Sequence, residues 1–322
     1  MIGAVEGSGP EVFGEIAAVH VDTQGRIYVL EEQAQEIRVF DSAGTYLRTV
    51  GSKGAGPGEL AAAFGLASDD LDWLWVPDVG NRRVTVFDST GEFAEDYQRP
   101  PGVVYPFLGG FDKSGRFWDV TLSFNETHTS FFFVSFDSIT SAFDSVPPVR
   151  YRRDAENMTR TMFFLRSRMT LAFDPAGYIW FGSTGDYRLL QRSMAGDTVR
   201  IVETDTRRVS VSDAERETIL AEIAELPFPV DPALIPTEKP AFNRIVVGDD
   251  GHLFVNVPGS DDEEGRLIDV FDADGLYLGR LTAPVSFEWM IPPHFGPSHV
   301  VGVTRDELDV PYVVRLRMVI PE

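Results

Sequence analysis

One short pattern recurs along this 322-residue chain and limits its fold more than any other feature. Residues 25–29 read GRIYV, 72–76 DWLWV, 115–119 GRFWD, 177–181 GYIWF and 251–255 GHLFV. Each copy is a turn residue followed by an apolar, β-type run. Asp22, Asp69, Asp112 and Asp174 stand three residues ahead of four of these turn residues. An Asp at that position accepts hydrogen bonds from the turn backbone, and Gly supplies the positive φ that the turn demands. Each copy therefore predicts a β-hairpin.

A second strand follows in several copies: Ile37 to Asp41, Val84 to Asp88 and Ile268 to Asp272. A tight turn ending in Gly44, Gly91 or Gly275 comes next, then a further short strand. Together with the apolar stretch before the first turn, each unit holds four antiparallel strands. The turn residues lie 47, 43, 62 and 74 residues apart. Four strands at a spacing in the forties is the pattern of propeller blades. The two long intervals require insertions, near 141–166 and 204–241. A sixth, less regular unit takes its first strand from Phe287 to Met290, then Val300 to Val303 and Tyr312 to Leu316. It lacks a fourth strand, which residues 1–5 can supply, so that both chain ends close the ring and leave no open edge.

The expectation is an all-β, six-bladed β-propeller of four-stranded antiparallel blades, formed by residues 1–322 as one domain. Its blades fall at about 16–51, 64–99, 107–148, 168–203, 242–284 and 285–318 plus 1–5. One inserted helix is predicted near 212–226. Ser212 and Glu215 fit a capping box, Ile219, Leu220, Ile223 and Leu226 share a face, and Pro227 and Pro229 end the helix.

The unit at 74–87 contains Asp78, Asn81, Arg83 and Val84 in a V-x-D-x-x-N-x-R-V-x-V-F arrangement, and Gly54-Ala55-Gly56-Pro57-Gly58-Glu59-Leu60 precedes it. In these features the chain resembles NHL-repeat β-propellers, with Leu60 where their blade connector has Phe. The first unit is a looser copy, with Glu31 in place of Asp78 and Arg38 in place of Arg83. The resemblance is strong over 16–99, moderate over 242–284 and weak elsewhere. It implies a fold and not an activity, because propellers host unrelated functions. Asp78, Asn81 and Arg83 read as a structural group.

Charge removes several functional classes. With 25 Arg and 3 Lys against 50 acidic residues, the formal net charge is −22, so a sequence-independent grip on nucleic acid is not expected. The chain has no Cys, which excludes thiol nucleophiles and Cys-ligated metals. No apolar run approaches the length of a membrane span. The N-terminus shows no basic n-region, so no leader segment is expected within this chain. An extracytoplasmic, periplasmic or secreted, location is inferred from the family type that the chain resembles together with the absence of Cys.

Motifs for catalysis are sparse. NHL-like lyases place zinc-ligating His near the start of the first strand of several blades; the matching positions here are Ala17, Phe64, Phe107, Met169 and Asn243. No metal site is assigned. A calcium site in the channel, drawing on Glu15, Asn125, Asn243 or Asn256, is the lesser alternative. No nucleophile elbow or phosphate-binding glycine motif is present. His294 and His299 can face one propeller surface and are candidates for ligand binding there, though two His do not make a zinc site.

Arg152, Arg153, Arg160, Arg166 and Arg168 cluster before the fourth unit, and Arg244 opens the fifth. Arg168 and Arg244 are expected near the channel mouth, where they suit a carboxylate or phosphate. Phe107, Phe163 and Phe164 are candidates for an apolar wall. The functional expectation is a monomeric, non-catalytic module that binds a protein or small-molecule ligand on one face. A calcium- or zinc-dependent hydrolase, lactonase or lyase with its ion in the channel is the alternative.

Overall fold

The structure, a computed structural model, describes residues 1–136, 143–145, 147–152, 168–205, 208–225, 231–260, 263 and 265–320. They form a six-bladed propeller of antiparallel sheets. Blade 1 runs Ile16–Val21, Ile27–Glu31, Glu36–Phe40 and Tyr46–Val50 from the innermost strand outward. Blade 2 repeats this order with Ala67–Ser68, Leu74–Asp78, Arg83–Phe87 and Phe93–Gln98. Blade 4 holds Met169–Asp174, Tyr178–Ser183, Arg188–Ser193 and Thr198–Glu203. Blade 5 holds Arg244–Val247, Leu253–Val257, Leu267–Phe271 and Tyr277–Thr282.

Blade 3 departs from four strands. Its third strand, His128–Phe136, is bordered by two short ones, Phe143–Ser145 and Val149–Arg152, which pair with successive parts of it. Blade 6 also departs from expectation. Its innermost strand is His294–Phe295 and not Phe287 to Met290. The aromatic residues of that earlier segment are packed into the core, and the Trp289 indole donates to the Gly265 carbonyl at 2.9 Å. Pro292 and Pro293 lack the N–H groups that a ladder needs, so pairing begins only after them. The outermost strand of blade 6, Pro311–Arg317, meets Ile2, whose N–H and C=O each bond Val313 at 2.8 Å.

The turns are closed as their composition predicts. Asp22 Oδ1 accepts from the N–H of Gln24 and Arg26, and Asp112 Oδ1 from those of Ser114 and Arg116. Gly25 and Gly115 both adopt φ 77°, and in blade 2 Asp72 takes the same role at φ 57°. The second carboxylate oxygen reaches an aromatic six residues on. Tyr28 Oη donates to Asp22 at 3.0 Å, and Trp118 Nε1 to Asp112 at 2.8 Å.

Further in, Asp78 is fully buried and accepts from the N–H groups of Ala61 and Ala62 at 3.0 and 2.9 Å. Arg83 donates to the carbonyls of Gly56 and Glu59. The pair thereby bolts the glycine-rich connector to its blade. Glu31 and Arg38 repeat the device, binding Gly14 and Glu15 N–H and the carbonyls of Pro10 and Val12.

Apolar packing among the described residues falls into six clusters, each spanning one seam between neighbouring blades. The seam between blades 6 and 1 joins Ile2, Phe13, Ile16 and Phe40 to Val301, Val303 and Val313. The ring is thus closed by burial as well as by hydrogen bonds.

One α-helix, α1 (Asp213–Ala224), lies between blades 4 and 5 and starts with the expected capping box: Ser212 accepts from Glu215 N–H, and Glu215 from Ser212 N–H. Leu226, Pro227 and Pro229 lie outside the described residues. No helix among those described is long and apolar enough to cross a membrane.

Candidate functional site

The innermost strands of blades 4 and 5 begin at Met169 and Arg244, so Arg168 and Arg244 sit where these strands enter the propeller. The backbone of Arg168 is held on both sides: its N–H donates to Thr184 Oγ1 and its carbonyl accepts from Thr184 N–H, both at 2.9 Å. Arg244 is fixed by its ladder position opposite Asn256. Beside Asn256, the Asn243 carboxamide donates to the Asn256 side chain at 3.0 Å. These contacts present both guanidinium groups to a single cleft of about 560 Å³.

The cleft has three further sides. Trp289 and Phe287, from the segment before blade 6, form a buried apolar wall. Thr218, Ile219 and Glu222 of α1 form a roof, a spacing that puts them on one helical face. Lys239 closes the corner. It is 2% exposed, pairs with Glu215 of α1 and donates to the Gly259 carbonyl at 2.9 Å. Neither the repeat pattern nor any motif singles out Lys239 or Trp289, because both lie in inter-blade segments that do not recur.

The electrostatics of the arginines is unusual for this chain. Arg26, Arg99, Arg280 and Arg305 each hold a carboxylate. Arg168 and Arg244 hold none among the described residues; Arg244 instead contacts Met290 Sδ at 2.7 Å. Burial lowers the pKa of Arg168, and burial together with the charge of Arg168 lowers that of Arg244. Two partly desolvated like charges lining one cleft are each held at a cost in free energy. An oxyanion between them would remove that penalty and form charge-assisted hydrogen bonds.

Asn243 and Asn256 also line this cleft, whereas Phe107, His294 and His299 do not. Phe107 lines a separate cavity of about 160 Å³ and packs edge-to-face with Phe64 at 6.1 Å. The apolar wall of the arginine cleft is supplied by Trp289 and Phe287 in its place. Phe163 and Phe164, with Arg153, Arg160 and Arg166, lie outside the described residues.

His294 lines the smaller cavity too, because it stands on the innermost strand of blade 6. Its Nε2 lies 3.1 Å from Asp249 Oδ2, and its ring meets that of His20 edge-on at 5.2 Å. His20 Nε2 bonds Ser68 Oγ at 2.8 Å, and burial, followed by the charge of His294, lowers the His20 pKa to about 3. His299 is on the next strand of the blade, bonded to Ser298 and facing Arg315 and Arg317. The two His residues do not share a site.

Of the residues weighed for calcium, Asn243 and Asn256 meet at the arginine cleft, and Glu15 and Asn125 are engaged elsewhere. Arg305 engages Glu15, Asn125 caps its own loop through Thr127 and His128, and Asn243 bonds Asn256. No group of three or more His, Asp or Glu side chains is arranged to hold a metal ion among the described residues.

A family model described as a 6-bladed beta-propeller, DUF5128, matches residues 10–148, which cover blades 1 and 2 and most of blade 3. No curated protein matches the chain in sequence. Among solved structures, a DUF4221 family member from Bacteroides vulgatus aligns with a TM-score of 0.56 at 13% identity, covering 94% of this chain and 92% of that one. A Bacteroides fragilis protein named as a candidate for export aligns with a TM-score of 0.55 at 11% identity, covering 97% and 93%. Virginiamycin B lyase from Staphylococcus aureus aligns at 0.45 and 10% identity, covering 94% and 85%. At these identities the likeness is one of fold, and the last is too distant to bear on this chain's chemistry.

Proposed function

We propose that this propeller is a non-catalytic binding module, NHL-like in its blade construction, that holds an anionic ligand in the cleft between α1 and blades 4 to 6. The observation that carries the reading is the pair Arg168 and Arg244, adjacent, partly desolvated and without a carboxylate partner among the described residues. A chain of net charge −22 has acidic side chains in surplus. Leaving two guanidinium groups uncompensated in a concave site concentrates positive potential where a ligand enters. Export from the cytoplasm fits this role, and a protein of similar fold is named as a candidate for export.

Calorimetric titration at low ionic strength with a panel of carboxylates and phosphates tests the reading. Saturable binding is expected, and Arg168→Gln and Arg244→Gln should each weaken it at least about tenfold, the worth of one lost charge-assisted hydrogen bond. Arg188→Gln, which removes an exposed pair with Glu203, should leave it unchanged. Absence of binding to every anion, or binding indifferent to both cleft substitutions, would overturn the proposal.

A further inference from the structure

We infer that the occupant of this cleft is a small amphipathic anion: one oxyanion group held by Arg168 and Arg244, joined to an aromatic or branched apolar body that lies against Trp289, Phe287 and Ile219 beneath α1. The inference rests on the anion-binding reading and adds the ligand class. Its first support is size. A cleft of about 560 Å³ lies within the range that small organic ligands fill, and an inorganic ion would leave most of it to water.

The second support is the wall. The one polar group of Trp289, its indole N–H, is already bonded to the Gly265 carbonyl. The ring therefore offers the cleft an apolar face and no donor, and Phe287 beside it offers the same. Such a surface favours an apolar partner, because a polar one would lose its water without compensation.

The third support limits the ligand to one anionic group. Away from the arginines the lining is acidic. Glu215 is neutralised by Lys239 and Glu288 by Arg305, while Glu222 has no ion-pair partner among the described residues. A second negative charge on the ligand would meet Glu222. The site therefore excludes polyanions and discriminates against dicarboxylates.

The test compares paired probes by calorimetry: acetate with benzoate, inorganic phosphate with phenylphosphonate, and benzoate with terephthalate. The aromatic member of each of the first two pairs should bind at least about tenfold more tightly. Whichever pair binds more strongly identifies the head group as carboxylate or phosphate. Terephthalate should bind at least about fivefold more weakly than benzoate.

Ile219→Ser, on the helix surface, should weaken benzoate or phenylphosphonate several-fold and leave inorganic phosphate unaffected. Thermal unfolding of the variant checks that the propeller is intact. If acetate and benzoate bind alike but still depend on Arg168 and Arg244, the ligand class is wrong and the anion site stands. If terephthalate binds as well as benzoate, the limit to one anionic group is wrong. If no probe binds, both readings fail.

Discussion

Replacing Lys239 with Met should release α1 from the propeller while leaving the blades intact. The Lys239 ammonium is nearly sealed from solvent, and it joins Glu215 on the helix to the Gly259 carbonyl on blade 5. Breaking a buried ion pair by deleting one partner costs about 3–5 kcal/mol. Here the Glu215 side chain is 23% exposed and keeps its 2.8 Å bond from Ser212 N–H, so water and the cap recover part of that. A net cost of about 2 kcal/mol is expected once solvent screening is counted. Met preserves the aliphatic stem, which confines the change to the charged contact.

The tether crosses no inter-blade seam, so its loss should appear as local opening and not as global unfolding. About 2 kcal/mol corresponds to roughly 30-fold faster opening-limited amide exchange. Hydrogen exchange read by mass spectrometry over 213–224 measures it, with the peptide containing Ile27–Glu31 as internal reference. Unchanged exchange in α1, or equal acceleration in the reference peptide, would refute the reasoning.

The same contact predicts a pH dependence. Burial alone would raise the Glu215 pKa, but the hydrogen bond and charge of Lys239 and the Ser212 N–H outweigh it and hold the carboxyl below its ordinary 4.5. A carboxyl that ionises more readily when docked contributes fully above 4.5, and its contribution fades as pH falls through the lowered folded value. In acid, therefore, α1 exchange in the unaltered protein should approach that of the Lys239→Met variant once intrinsic rates are corrected.

Asp78→Ala should cost about 2 kcal/mol or more, because the fully buried Asp78 carboxylate is the acceptor for the N–H groups of Ala61, Ala62 and Asn81; a fall in urea-derived stability under about 1 kcal/mol would contradict the bolting role. Ile2→Ala should cost about 2–4 kcal/mol, since Ile2 is buried in the seam that joins blades 6 and 1; an unchanged urea midpoint would mean that this contact does not secure the ring. His20, with its folded pKa near 3 against 6.5 ordinarily, is neutral in the fold and takes up a proton only when unfolded. It should therefore remove about 1.4 kcal/mol of stability per pH unit as pH falls below 6.5. His20→Asn should flatten that slope, and an unaltered slope would refute the assignment.

The blades were legible in the sequence because their turns are built from local chemistry. Asp22, Asp112 and their counterparts bond backbone two to four residues away, so spacing alone reveals them. The capping box of α1 is local in the same sense. The β-type apolar character of Phe287 and Trp289 suggests a first strand for blade 6 that begins too early; both are packed in the core, and the Trp289 indole bonds the Gly265 carbonyl 24 residues away.

Only part of the cleft was visible. Arg168 and Arg244 stood out as strand-entry cations in an acidic chain. Composition groups Phe107 with them, but its ring packs on Phe64 and against the seam of blades 2 and 3. Sequence places His294 and His299 on one propeller surface, whereas they stand on successive strands, and His294 lines the small cavity with His20. Lys239 and Trp289 carry no repeat signal, and only the folded chain brings them to the cleft.

Arginine-detected NMR addresses the cleft most directly. The Nε–Hε resonances of the 25 Arg side chains can be followed during titration with benzoate or phenylphosphonate, with Arg168 and Arg244 assigned by substitution. The account predicts that these two resonances shift together and saturate with one dissociation constant while the carboxylate-paired Arg26, Arg99 and Arg280 stay fixed. Saturable shifts at other arginines with Arg168 and Arg244 unmoved would contradict it.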